Sequence, residues 1–315
     1  MTLNPEKLRI ALIDDNVHMR DIISTILSSY GVREIMYFAD GQSALEALPH
    51  AKVDVIFCDM LMEPLDGLTV VKMIRWHADK SFAKTPIIML SGIRETRSVI
   101  RARDLGATEY LVKPVAPAVL WQRVKSLFRQ NRPFVETDSY RGPLLRPPNE
   151  GSPVIDWAPL PIPEEMLAST PEARLNLGLK KIGSKYPQIL AEDINYLFGA
   201  LPRLKLDGFV GPELRSFYRR SHDIKGQAGT FDFDLVTEIA KSLCDLLKLL
   251  IDNSELPQNR HLTLHTIIRM HLDALKICSD LEIRGDGGAD GKELLQTIKV
   301  ASRKVIVKQK LQFAD

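Results

Sequence analysis

Cysteine is scarce in this chain of 315 residues, and the three that occur, Cys58, Cys244 and Cys278, stand far apart in apolar runs. An odd number without a CxxC pair argues against a disulfide framework and reads as reduced core thiols. A charge excess is also missing. Lys and Arg number 42 against 40 Asp and Glu, a formal net charge of +2, so nothing points to nucleic acid or a lipid surface. No apolar run reaches the ~18 residues that would span a bilayer. The N-terminal MTLNPEKLRIALIDD has no long apolar stretch followed by a cleavage site. The expectation is a cytoplasmic protein with neither membrane nor nucleic acid as partner.

The length suits two domains with cores of their own. From Leu8 to Gln130, strand-like runs alternate with helical patterns. The strand candidates are LRIALIDD (8–15), REIMYFAD (33–40), VDVIFCDM (53–60), TPIIMLSG (85–92) and EYLVKP (109–114). Met19, Ile22, Ile23, Ile26, Leu27 and Tyr30 share one helical face, which stops at Gly31 as at a C-cap. Five such strands with intervening helices predict a doubly wound parallel sheet, its strands buried on both faces.

Between 132 and 163 the pattern breaks. Prolines fall at 133, 143, 147, 148, 153, 159, 161 and 163, which predicts an extended linker, with Ile155 and Trp157 as candidate docking residues. From 164 to 315 the pattern is helical. Thr170-Pro171 and Gly211-Pro212 look like helix starts. Leu190, Ile194, Leu197 and Leu201 form one stripe, and Leu235, Ile239, Leu243, Leu246 and Leu250 a second. Leu264, Ile267, His271, Leu275, Cys278 and Leu281 form a third. Stripes of this kind bury best in an antiparallel helical bundle. The predicted domains are therefore 1–131, a linker 132–163, and 164–315 including a helical extension.

In an open parallel sheet, ligands bind at the C-terminal strand ends. Asp14 and Asp15 end the first strand, Asp59 the third, Ser91 the fourth and Lys113 the fifth, before Pro114. Three carboxylates in one crevice repel one another. A hard divalent cation relieves that repulsion, and Mg²⁺ suits carboxylates together with phosphate oxygens and water. Such an ion also neutralises charge on a transferring phosphoryl group while a carboxylate attacks.

At these residues the stretch resembles the receiver domain of two-component response regulators, a flavodoxin-like fold, over about the first 130 residues. IDD, CDMLMEPLDG, MLSG and GATEYLVKP follow the family's order. The resemblance implies that Asp59 is the phosphoacceptor. Mg²⁺ would sit on Asp15, Asp59 and the Leu61 carbonyl, with Asp14 acting through water. Ser91 and Lys113 would contact the phosphoryl group, and Tyr110 would be the aromatic switch. Leu61 and Ile93 hold positions that border the path of hydrolytic water, where apolar side chains imply a slowly lost phosphoryl group. One departure is Glu63, where the family usually has proline; the proline follows at Pro64, and Gly67 keeps its usual distance. That predicts a loop variant with intact function.

The second signal is SHDIKGQAGTFDF, 221–233. Leu214, Phe217, Ser221, Ile224 and Ala228 make the apolar stripe of its helix, and His222 falls just off it, which predicts an imidazole facing solvent. Lys225, Gly226 and Gly229 share the histidine's face. Glycine inside a helix costs about 1 kcal/mol against alanine, and bare backbone beside an imidazole allows close approach by a partner. Neutral imidazole is a competent nucleophile without a further base. The segment resembles the histidine phosphotransfer domain, whose motif is histidine, lysine at +3 and glycine at +4. The resemblance implies that His222 is phosphorylated with Lys225 assisting. Asp232 stands where relatives often carry glycine.

Other features are weaker. His261, His265 and His271 lack the glutamate of zinc-peptidase helices and read as core or surface residues. GDGGADG (285–291) lacks the EF-hand spacing and reads as a loop ending a helix. Lys299, Arg303, Lys304, Lys308 and Lys310 read as a solvated helix face.

Neither a Walker A pattern nor the glycine-rich lid of a histidine kinase is present, which predicts a phosphoryl carrier and no ATP-dependent enzyme. The expected donor is a sensor histidine kinase or another phosphotransfer protein, and the expected acceptor a receiver domain. The alternatives are a response regulator whose bundle only docks a kinase or dimerises, and an aspartyl-phosphate phosphatase.

Overall fold

A computed structural model describes residues 3–92, 96–129, 133–144, 179, 182–206, 211–252 and 261–309. The chain divides into two compact units, Met1–Ile182 and Gly183–Asp315.

The first unit is built on five parallel strands: β1 (Arg9–Ile13), β2 (Glu34–Phe38), β3 (Val55–Asp59), β4 (Ile87–Ser91) and β5 (Glu109–Val112). Their order is β2-β1-β3-β4-β5, the doubly wound arrangement predicted. The helices are α1 (Val17–Ser29), α2 (Gly41–Ala47), α3 (Gly67–Arg75), α4 (Lys80–Ala83), α5 (Thr96–Asp104) and α6 (Pro117–Arg129). Alternation along the strands sends Ala11, Ile13, Ile56, Cys58, Ile87 and Met89 to one core, with Val70, Val71 and Ile74 of α3. β3 and β4 are buried throughout, and β1 beyond Arg9. β2 differs from the expectation of strands covered on both faces. It is an edge strand, and Met36 and Tyr37 are exposed.

Chain that was expected to be linker is partly folded. Phe134–Glu136 (β6) and Arg141–Pro143 (β7) pair as an antiparallel hairpin. It lies on the pole of the first unit that carries the C-terminus of α3. Glu136 accepts from Lys80 at 2.5 Å, and the Arg141 guanidinium lies over the Trp76 ring at 4.4 Å. Gly106 and Gly142 meet backbone to backbone: a Cβ on Gly106 would lie 2.5 Å from the Arg141 carbonyl. Under the hairpin Arg75 is buried, spending its N–H groups on the carbonyls of Gly106 (2.7 Å), Ala83 (2.7 Å) and Thr85 (2.8 Å). Prolines thinned the periodic signal, but Pro143 sits at a strand end, where proline is tolerated. The remainder of the proline-rich segment, with Ile155, Trp157 and Thr170-Pro171, lies outside the described residues.

The second unit is helical: α7 (Tyr186–Leu206), α8 (Pro212–Ala228), α9 (Asp234–Asp252), α10 (His261–Asp280) and α11 (Gly288–Gln309). Pro212 opens α8 as predicted. α8 packs between α7 and α9, and α10 closes the ring by packing on both α9 and α7. This is a four-helix bundle, and α11 rests on α9 and α10. The three predicted stripes are buried apart from Leu281, which lies past the end of α10 and is exposed. His271 is a core residue. Its Nδ1 lies 2.8 Å from the Ile267 carbonyl and its Nε2 3.0 Å from the Ser242 hydroxyl. The glycine-rich segment does join α10 to α11. It is pinned to the start of α9 by the Leu235 N–H, which donates to the Gly285 carbonyl at 2.9 Å. No described helix is long and apolar enough to cross a membrane.

Candidate functional site

The C-terminal ends of β1, β3, β4 and β5 converge. β1 gives way to Asp14, whose Oδ1 accepts from the Asn16 N–H at 2.9 Å. Asn16 in turn caps α1 through the N–H groups of His18 and Met19. Asp59 ends β3, and its Oδ2 accepts from the Leu61 N–H at 2.9 Å. Lys113 follows β5 and reaches back across the pocket. Its Nζ donates to Asp59 Oδ1 at 2.5 Å and to Asp14 Oδ2 at 2.8 Å. Its backbone N–H donates to the Ser91 carbonyl at 2.7 Å. Ser91 is buried at the end of β4, and Tyr110 is buried on β5.

Among the described residues, one group of acids has metal-ligand spacing. Carboxylate oxygens of Asp14, Asp15 and Asp59 lie within 4.8 Å of one another. Burial pushes the Asp59 carboxyl up to about 7, against the pull of Lys113 and with help from Asp14 and Asp15. Burial opposes charge on Lys113 as well, but Asp14 and Asp59 outweigh it and hold the ammonium above the usual lysine range. The pocket is thus a cluster of hard oxygens with too few positive charges, which is the donor set a divalent cation takes.

The loop after Asp59 is closed by a tight contact. A Cβ on Gly67 would lie 2.0 Å from the Asp59 carbonyl oxygen, so only glycine lets α3 start there. The Gly67 N–H donates to the Met60 carbonyl at 3.0 Å, and Asp66 caps α3 through the Thr69 N–H at 2.7 Å. The departure at Glu63 is absorbed within this loop, where Glu63–Pro64 is cis; Lys113–Pro114 is also cis. Ile93 lies outside the described residues.

The histidine of the second unit is not where it was expected. His222 is 3% exposed, so the prediction that it faces solvent is wrong in this structure. The wheel argument assumed one buried stripe. Because α8 lies between α7 and α9, its buried arc is wider, and only Pro212 and Arg215 are exposed along it. Gly226 and Gln227 are buried too. The Tyr218 ring stands one turn before, its centroid 6.1 Å from that of His222. Lys225 is half-buried. Gly229 ends α8 with ordinary right-handed geometry. Asp232 adopts a left-handed backbone (φ 62°), a conformation glycine takes without strain. His265 is half-buried on α10, and the side chain of His261 lies outside the described residues.

Arg75 and the hairpin over it were missed. No motif announces a buried arginine whose partners are carbonyls.

A doubly wound sheet with acids and a lysine at its switch point defines the first unit as an α/β domain with an acidic anion-and-cation pocket. Residues 10–125 match the family described as response regulator receiver domain, and this part of the chain is such a domain. It is 34% identical over 141 residues to a probable transcriptional regulator ycf27 of Cyanophora paradoxa, covering 44% of this chain and 56% of the relative. It is 32% identical over 138 residues to a protein-glutamate methylesterase/protein-glutamine glutaminase of Trichodesmium erythraeum, covering 43% and 38%. A solved chemotaxis protein CheY4 of Vibrio cholerae is 30% identical, covering 38% of this chain and 98% of that one, with a TM-score of 0.35. The chain spans about half the length, or less, of these curated relatives.

Proposed function

We propose that the chain is a response regulator in which Asp59 accepts a phosphoryl group with Mg²⁺. The observation that carries this reading is the buried contact of Lys113 with both Asp59 and Asp14, beside the half-buried Asp15. Asp14, Asp15, Asp59 and the Leu61 carbonyl would hold the ion, which supplies positive charge to the transferring group when bound. An oxygen of Asp59 attacks phosphorus, the bond from phosphorus to the donor's imidazole nitrogen breaks, and the imidazole leaves neutral. Lys113 and the Ser91 hydroxyl hold the phosphoryl oxygens, and Tyr110 responds to the change at Ser91. The donor is a phosphohistidine on a sensor kinase or a phosphotransfer protein, and the chain itself is a carrier with no ATP chemistry.

For the helical unit, the histidine–lysine–glycine signature supports a phosphotransfer role, while the burial of His222 argues against it. We therefore rank docking or dimerisation by the bundle ahead of relay through His222. Incubation with a labelled phosphohistidine donor tests both. Wild type and His222→Gln should take up acid-labile, base-labile label equally, and Asp59→Ala should take up none. Base-stable label on the wild type that is lost in His222→Gln would reverse the ranking.

A further inference from the structure

Ser91 is expected to give its hydroxyl hydrogen to a phosphoryl oxygen. In the structure it gives it elsewhere: Oγ of Ser91 donates to Sδ of Met60 at 3.6 Å, inside the protein. Met60 follows Asp59 directly and is 4% exposed. Its backbone is fixed on both sides, the N–H donating to the Leu90 carbonyl and the carbonyl accepting from Gly67, each at 3.0 Å. The thioether is therefore held beside the pocket by the same loop that positions the phosphoacceptor. A hydroxyl has a single hydrogen, so the hydrogen engaged by Met60 must be released before it can serve an incoming anion.

We propose that Met60 is a positioning residue for Ser91, parking its hydroxyl until a phosphoryl group displaces it. This rests on the reading of Asp59 as phosphoacceptor. The chemistry of the acceptor matters. A thioether is a weak acceptor, so it orders the resting hydroxyl yet gives it up readily to a charged oxygen, to which hydrogen bonds are stronger. An amide at the same place would hold the hydroxyl more firmly. A leucine would fill the same volume and hold nothing.

The test is a titration of the full chain with beryllofluoride, a phosphoryl mimic, at saturating Mg²⁺, followed by ¹⁹F NMR. The variants are Met60→Leu, Met60→Gln, Ser91→Ala and each Met60 change combined with Ser91→Ala. Met60→Leu should bind about threefold tighter than wild type and Met60→Gln more weakly, in line with the net worth of one neutral hydrogen bond. Neither change should shift affinity once Ser91 is alanine. Equal shifts in both backgrounds would mean that Met60 acts through packing, and the proposal falls. It also falls if neither change has an effect in the Ser91 background. Wild type that binds no beryllofluoride, or binds it as well after Asp59→Ala, overturns the phosphoacceptor reading along with it.

Discussion

Lys113 Nζ lies 2.5 Å from Asp59 Oδ1, in a pocket where both side chains are almost fully buried. The same ammonium holds Asp14 at 2.8 Å. One cation thus stabilises two acids that would otherwise face each other inside the protein. Removing one partner of such a pair costs far more than the pair contributes, because the remaining charge is stranded. Lys113→Met should lower the stability of the metal-free first unit by about 3 kcal/mol. Mg²⁺ should restore much of that loss. Urea unfolding with and without the ion checks this, and a variant that gains no more from Mg²⁺ than wild type contradicts it.

The Asp59 carboxyl is raised to about 7, whereas an unfolded aspartate titrates near 4. A raised folded value favours the protonated form. Its contribution to stability is full below about pH 4 and is lost as pH rises through about 7. The metal-free first unit should therefore weaken between about pH 4 and 7 and change little above that. Between about pH 6 and 8 its Mg²⁺ affinity should rise about tenfold, because the ion must displace one proton. Calorimetric titration in buffers of differing ionisation enthalpy counts that proton, and Asp59→Asn should remove both trends.

Gly67→Ala would place a methyl group 2.0 Å from the Asp59 carbonyl oxygen. Backbone cannot yield as a flexible side chain would, so the loop from Met60 to Asp66 must shift. We expect a loss of about 2 kcal/mol in the first unit and a steep drop in the rate of Asp59 labelling. Labelling at the wild-type rate would show that Asp59 tolerates a displaced α3.

Arg75→Met should strand the carbonyls of Gly106, Ala83 and Thr85, for a cost of about 3 kcal/mol. Phe134 lies against the guanidinium, with 5.8 Å between charge centre and ring, so the hairpin should loosen as well. Hydrogen exchange across 134–143 reads this directly, and unchanged protection there would count against it.

His271 is buried, and desolvation lowers its pKa below the ordinary histidine value. A carbonyl only accepts, so Nδ1 carries the hydrogen toward Ile267 and Nε2 accepts from Ser242. The stability this neutral ring contributes is complete above about pH 6.5, the unfolded value, and is lost as pH falls through the lower folded value. The helical unit should therefore melt earlier in mild acid, and His271→Gln should flatten that dependence in urea titrations at pH 5 and 7.

The pocket was readable because strand ends are sequence-local. Asp14, Asp59, Ser91 and Lys113 each close an apolar run, and parallel pairing brings such ends together whatever the helices do. β2 escaped a correct reading because REIMYFAD is as apolar as a central strand, and only its place at the sheet edge exposes Met36 and Tyr37. His222 escaped for a related reason. A helical wheel identifies the stripe against one neighbour, but the number of neighbours around α8 is a tertiary property. Arg75 carries no periodic signal, since its partners are backbone atoms far away in the chain.

The docked hairpin bears on how the protein should be divided. The family's own boundary falls at residue 125, upstream of Phe134 and Arg141. A fragment cut at that boundary would uncover the indole of Trp76 and open the arginine's carbonyl nest to water. Its folding midpoint and its tendency to self-associate would belong to the fragment. Ending the excision after Leu144 instead keeps that pole sealed.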